Sequence, residues 1–346
     1  MLTRQEIDRL LGFLERALPD VTKVGVGNIA RVHSGVSRET YSVDLQYTDK
    51  RGDHARGLLI RRDLGGGLRA RERAIEHAAY RSFFGKGVPV PEPFALVEDA
   101  SVLGGPFLIL DRIEGHAPSI FQPDPYGGRR ETTGRDFFAI LGAIAAADPY
   151  DTQLPGVVDT PAAEDCWRRE LDHWERVLAR DSLEPQPIAA AAIRRLRRNP
   201  PKAPPRLAVV HGDFRKGNFM IDAQGRIVGV LDWELAHIGD PMEDLAWALD
   251  PLWAGETQLA AGLLDWREAI EIWQSASRRV FNAEALNWWS LFSHVKGIAI
   301  WTSAARAYHD GRNQDPILAF TGWYCAARHN KMIADRLASA GDGMLL

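Results

Sequence analysis

VVHGDFRKGNFMIDAQGRIVGVLDWELAHIGDPMEDL, residues 209–245, is the stretch on which the reading of this chain turns. An apolar run closes at Val209 and Val210 and stops abruptly at His211-Gly212-Asp213. After a loop, Asn218 to Asp222 reads as a short strand. Ala223-Gln224-Gly225 is a turn with glycine where the chain must reverse, and Arg226 to Leu231 returns as the second strand, with Asp232 at its end. If Asp222 faces Arg226 across the turn, Asn218 faces Val230. Asn218 and Asp232 then share one end of the hairpin, and Asp213 arrives there by a short loop. Three oxygen-bearing side chains converge, although 19 positions separate Asp213 from Asp232.

Mg²⁺ prefers oxygen ligands and often takes only one or two from protein, leaving the rest to phosphates and water. The amide oxygen of Asn218 and the carboxylate of Asp232 suit that role. The separate carboxylate of Asp213 can orient and deprotonate a hydroxyl, which completes the parts of a phosphoryl-transfer site. The spacing Asp-x-x-x-x-Asn, followed by a hairpin and an Asp, is similar to the kinase catalytic loop and its metal-binding Asp. The wording His211-Gly212-Asp213 and Asp232-Trp233-Glu234, with Gly239-Asp240-Pro241 and Asp244-Leu245-Ala246 behind it, resembles the aminoglycoside phosphotransferase family of small-molecule kinases. That resemblance implies an α+β, bilobal, protein-kinase-like fold. Its N-lobe (1–111) would be sheet-rich and would cover the nucleotide. Its C-lobe (112–346) would be mainly helical and carry the catalytic loop, metal site and acceptor site. ATP or GTP would bind with Mg²⁺ between the lobes. The resemblance also implies Asp213 as catalytic base, Arg215, ahead of Lys216, as the cation near the transferred phosphate, and His211 as a structural brace. Asp244, a carboxylate at a helix start, needs donors and finds them in the loop backbone. Asp240 reads as a helix cap.

Ahead of this centre the chain alternates strands and turns. Ile29 to Val32 and Tyr41 to Tyr47 are β-like and flank His33 to Thr40, a glycine-containing turn. Taken alone that turn is a plain hairpin loop. The resemblance makes it the nucleotide-covering loop, with Ser34, Gly35 and Ser37 against phosphates. Gly25-Val26-Gly27-Asn28-Ile29-Ala30 fits G-x-G-x-x-A only superficially, because a strand and not a helix follows. Leu58 to Asp63 is a strand ending in cations. Arg61, with Arg62 as the alternative, is the candidate for phosphate binding, since guanidinium can bind phosphate bidentately. A helix from about Leu68 to Phe84 carries Glu72 and Glu76 one turn apart. The resemblance selects Glu76 as the partner of Arg61, with Glu72 as the fallback. Val88 to Val97 and the apolar run Phe107 to Leu110 complete the sheet.

The 346 residues suffice for two domains or one large one, and the net charge of −4 speaks against a nucleic-acid binder. Cys166 and Cys325 have no metal or redox spacing, consistent with a reduced, cytoplasmic setting. The first helix starts on the capping-box pattern Thr3/Glu6 and is too acidic for a targeting peptide. Phe137 to Ala147, the longest nearly unbroken apolar stretch, is too short to span a bilayer. Walker A, H-E-x-x-H, C-x-x-C and a nucleophile elbow are all missing.

Helices are expected at Phe137 to Ala147, Cys166 to Leu178 and Ile188 to Arg197, with a solvated basic end at Arg194 to Arg198. Beyond Leu245 the chain is helical and rich in tryptophan, most of it expected in the core or between helices. From Pro251 to Leu346 there are nine acidic and nine basic residues. A polycationic acceptor would want a more acidic cleft. The balance therefore fits a less cationic acceptor than an aminoglycoside. The expected acceptor is a small-molecule hydroxyl on an antibiotic, an amino alcohol or a hydroxyacyl compound. The family that the chain resembles, some members of which are linked to hydroxyacyl-CoA metabolism, implies a hydroxyacyl compound ahead of an aminoglycoside. The alternative is a nucleotide-binding module without transfer, suggested by arginine where kinases usually carry lysine. The oligomeric state stays open.

Overall fold

The computed structural model describes residues 2–18, 20–32, 38–63, 70–119, 122 and 124–339. Helix α1 (Arg4–Ala17) opens on the expected capping box, Thr3 with Glu6. Five antiparallel strands surround the next helices: β1 (Lys23–Val32), β2 (Glu39–Asp49), β3 (Gly52–Arg62), β4 (Pro93–Val97) and β5 (Phe107–Asp111), in the order β1-β2-β3-β5-β4. Helix α2 (Ala70–Phe83) precedes β4, and a short turn of helix, α3 (Ala100–Leu103), follows it. The strand read over Val88 to Val97 is thus shorter than expected and begins at Pro93.

The sheet is covered on both faces, which is why Phe107 to Leu110 carries no polar alternation. Leu58, Ile60, Phe107 and Ile109 share a core cluster with Leu10 and Leu14 of α1. Leu108 and Leu110 join α2 and the helical half. Each such fully buried side chain contributes roughly 1.5–3 kcal/mol.

The remainder is mainly helical: α4 (Arg130–Ala146), α5 (Cys166–Asp181), α6 (Pro187–Arg198), α7 (Pro241–Ala248), α8 (Pro251–Ala254), α9 (Trp266–Ser277), α10 (Ala283–His309) and α11 (Pro316–Ala338). Two small ladders interrupt it. Strand β6 (Ala208–Val210) pairs with β9 (His237–Gly239), and β7 (Phe219–Ile221) pairs with β8 (Ile227–Val230). Trp247, Trp253, Trp273, Trp288 and Trp289 are buried as expected, whereas Trp323 is 72% exposed beside Phe320 and Tyr324. Arg197 at the basic end of α6 pairs with Asp172 and Glu175 of α5. Both cysteines are free, and among the described residues no helix is long and apolar enough to cross a membrane.

Candidate active site

The β7–β8 hairpin forms where the sequence put it, with one residue of difference in register. Phe219 pairs with Val230, and an irregularity between Met220 and Ile221 absorbs the offset from the turn, where Asp222 N–H donates to the Arg226 carbonyl. Asn218 therefore faces Leu231, whose N–H donates to the Asn218 carbonyl at 2.8 Å, and not Val230 as the simple count gave. A bulge of this kind lengthens one strand against the other. Asn218 and Asp232 still lie at the same mouth.

Asp213 joins them. Its Oδ2 accepts from Asn218 Nδ2 at 2.6 Å, and its Oδ1 accepts from Arg215 Nε at 2.9 Å and Trp247 Nε1 at 2.8 Å. Asn218 Nδ2 also donates to the Asp213 carbonyl, so both of these donor contacts point to the loop. His211 is neutral: burial lowers its pKa. Its Nδ1 accepts from Asp213 N–H at 3.1 Å, and its Nε2–H donates to the Leu231 carbonyl at 3.0 Å. One imidazole thus ties the loop to the residue before Asp232. Asp244 accepts from His211 N at 2.5 Å and Gly212 N at 2.9 Å, the expected use of a buried carboxylate. Gly212 has φ +84°, and a Cβ there would meet the Leu235 carbonyl oxygen at 2.5 Å. Asp240 caps α7 by accepting from Met242 N–H.

Asp232 sits in the left-handed region at φ 67°, ψ 54°. A non-glycine residue held there costs free energy and persists only where its surroundings over-determine it. Its surroundings come from the sheet. Arg61 Nη2 donates to Asp232 Oδ1 at 3.1 Å, and Arg61 Nη1 pairs with Glu76 of α2. Strand parity explains why Arg61 and not Arg62 enters the cleft. Successive side chains point to opposite faces; Arg62 lies on the α1 face, where it pairs with Glu6 and Glu39. Glu76 is fully buried, whereas the Glu72 side chain is 41% exposed. Burial alone would raise the Asp232 carboxyl, but Arg61, then Arg215 and Arg38, hold it below the ordinary range. Ser34, Gly35 and Ser37 lie outside the described residues.

Residues 28–281 match the model of the phosphotransferase enzyme family. The chain belongs to that family. A structure of an aminoglycoside phosphotransferase homologue from Ralstonia eutropha JMP134 superposes with a TM-score of 0.73 at 21% identity, covering 95% of this chain and 97% of that one. The fold is thus the bilobal, kinase-like α+β fold, with a five-stranded sheet in one half and mostly helix in the other. Acyl-CoA dehydrogenase family member 11 of Gallus gallus is 27% identical over 243 residues, 68% of this chain and 30% of that protein. Viomycin phosphotransferase of Streptomyces vinaceus is 29% identical over 170 residues, 46% of this chain and 55% of that one. The chain spans less than a third of the length of the acyl-CoA dehydrogenase relatives.

Four residues of this candidate site escaped the sequence reading. Arg38 has its side chain 1% exposed and pairs with Glu76, with Asp63 at 3.0 Å and with Glu234 at 3.4 Å. Tyr80, one turn beyond Glu76, donates to Glu76 Oε1 at 3.1 Å and accepts from Asp232 N–H at 3.3 Å. Trp247 holds Asp213. Trp253, 7% exposed, carries the Arg215 guanidinium over its ring at 5.1 Å. Only Tyr80 had a sequence signal, its i,i+4 spacing from Glu76 on one helix face. Glu234, left unassigned in sequence, is pushed up to about 8 by burial and by the charge of Asp232, although Arg38 opposes this.

Proposed function

We propose that the chain transfers the γ-phosphoryl group of ATP or GTP to a hydroxyl of a small molecule, with the nucleotide between a lobe ending near Asp111 and a lobe beginning at Arg112. One observation supports this above the others: Arg61 bridges Glu76 of α2 to Asp232 at the hairpin mouth, at 3.1 Å from the latter, so a phosphate-binding cation and a metal-binding carboxylate adjoin. Asn218 Oδ1 and Asp232 are the groups that would hold Mg²⁺, and the donor set fits, being oxygen only and partly open to solvent. Bound there, the ion would neutralise charge on the β- and γ-phosphates.

The chain's own residues do the rest. Asp213 accepts a hydrogen bond from the acceptor hydroxyl, aims its oxygen at the γ-phosphorus and takes its proton; as that oxygen bonds to phosphorus, the bond to the bridging oxygen breaks and the nucleoside diphosphate leaves. Arg215, braced on Asp213 and the Trp253 ring, turns its remaining N–H groups toward the transferring phosphoryl oxygens. Arg61, held by Glu76, contacts the non-transferred phosphates. A hydroxyacyl compound is favoured as acceptor over an antibiotic or amino alcohol. The balanced charge after Pro251 and the naming of the relatives as acyl-CoA dehydrogenases support that choice.

The test is a transfer screen with MgATP and MgGTP against hydroxyacyl-coenzyme A thioesters, aminoglycosides, macrolides and amino alcohols. Phosphate ester on a hydroxyacyl thioester is the expected product. Nucleotide binding without transfer to any member of the panel would favour a binding module instead.

A further inference from the structure

We infer that Trp247, backed by the buried Glu243–Lys296 ion pair, is a positioning residue that holds Asp213 in its working orientation. The inference rests on the phosphotransferase reading, since it assigns a role toward the proposed base. Among the described residues, Asp213 has three side-chain donors. Arg215 and Asn218 both face the nucleotide in that reading, so each is pulled on when phosphates and metal arrive. Trp247 is 1% exposed on α7, and its indole N–H at 2.8 Å points only at Asp213. An indole nitrogen donates and never accepts, so it fixes the carboxylate without competing for the proton of the acceptor.

Behind the indole lies an ammonium group. Lys296 of α10 is 1% exposed, and its Nζ sits 5.4 Å from the Trp247 ring centroid and 5.5 Å from that of Trp174. Its counter-ion is Glu243 of α7, at 3.0 Å and fully buried. A cation over an indole face draws on the ring's electrons and so sharpens the N–H as a donor. A buried ion pair is poor evidence for stability, since apolar residues of equal volume serve as well or better. A role toward the site gives it a reason to be there. Glu243 continues to His237, whose Nε2 lies 3.0 Å from the second carboxylate oxygen and whose Nδ1 lies 3.0 Å from the Leu235 carbonyl. Both ring nitrogens face acceptors, so both carry protons. The Leu235 carbonyl is the group that abuts Gly212 beside Asp213. One buried cluster therefore holds the proposed base from one side and the wall of its loop from the other.

The experiment compares Trp247→Phe, Lys296→Met, Lys296→Arg and the paired Lys296→Met/Glu243→Gln, which removes both charges together so that no buried ion is stranded. Trp247→Phe keeps the ring and loses the donor. We expect kcat to fall about 10²-fold with KM for MgATP changed little, the mark of a base left misaligned and not of lost binding. The paired variant should lose part of that rate, and Lys296→Arg should restore most of it relative to Lys296→Met. In parallel, ¹⁵N-indole spectra identify the Trp247 N–H by its loss in Trp247→Phe. That resonance should shift in Asp213→Ala and again in the paired variant. It requires no turnover, so it judges the positioning role even if the wild type phosphorylates no acceptor, an outcome that counts against the kinase reading alone. An unchanged kcat in Trp247→Phe, or a Trp247 resonance indifferent to Asp213→Ala, overturns the inference.

Discussion

Replacing Glu76 by glutamine swaps a carboxylate oxygen for an amide nitrogen within a cluster of ion pairs. The carboxylate is fully buried: Oε2 pairs with Arg38, while Oε1 pairs with Arg61 and accepts from the Tyr80 hydroxyl at 3.1 Å. Glutamine keeps a single acceptor oxygen. Whichever way the amide turns, its NH₂ faces a guanidinium, so one charge-assisted hydrogen bond worth about 1.5–3 kcal/mol is lost. Breaking a buried ion pair outright costs about 3–5 kcal/mol. Here compensation remains. Arg61 keeps Asp232 at 3.1 Å, and Arg38 keeps Asp63 at 3.0 Å and Glu234 at 3.4 Å. The expected loss is therefore about 2–3 kcal/mol in urea unfolding, with an unchanged m-value. Arg61, released from α2, should also swing toward Asp232 and weaken nucleotide binding by about tenfold, or 1.4 kcal/mol. Equilibrium unfolding and calorimetry with MgATP measure the two effects. A stability loss below about 1 kcal/mol together with unchanged nucleotide affinity would refute the reasoning, because the two arginines would then not depend on this carboxylate.

Three further outcomes are expected. Asp213→Asn should lower kcat by about 10²–10⁴-fold while nucleotide affinity holds or rises slightly, since a negative charge beside the phosphates is removed; transfer at the wild-type rate would remove Asp213 from the mechanism. Asn218→Ala and Asp232→Ala should each abolish the Mg²⁺ dependence of nucleotide binding, measured by calorimetry with and without chelator; retained dependence in both would displace the metal site. Stability should also fall at alkaline pH through His237. Burial opposes its charge, but Glu170 and Glu243 outweigh that and raise its pKa to about 9. Because the folded value is raised, the contribution is complete below the ordinary value of about 6.5 and is lost as pH rises through about 9. The urea midpoint should drop across that window in the wild type and drop less in His237→Asn; equal slopes would place the loss elsewhere.

The sequence alone determined the parts of this site that are close together along the chain. Asp213, Asn218 and Asp232 are tied by one loop and one tight hairpin, and local turn chemistry brings them to one end even with the register off by a residue. The caps at Thr3 and Asp240 are likewise short-range devices. The brace by His211 was implied by the family resemblance, and its partner, the Leu231 carbonyl 20 positions on, was decided by the fold. The choice between Arg61 and Arg62 was not local. It depends on which face of β3 looks at α2, and period-2 alternation labels two faces without saying which is which. The roles of Arg38, Tyr80 and Trp247 depend on approaches across 38, 152 and 34 positions of chain. The spacing of Tyr80 from Glu76 signals only their shared helix face and not the approach to Asp232. Nothing in the pattern of an isolated arginine or tryptophan signals such a meeting, because an apolar or charged residue satisfied by a distant partner looks the same in sequence as one that is buried in the core or solvated. Trp247 was legible as a core residue; only the packing of α7 against the catalytic loop decided that its N–H would face Asp213.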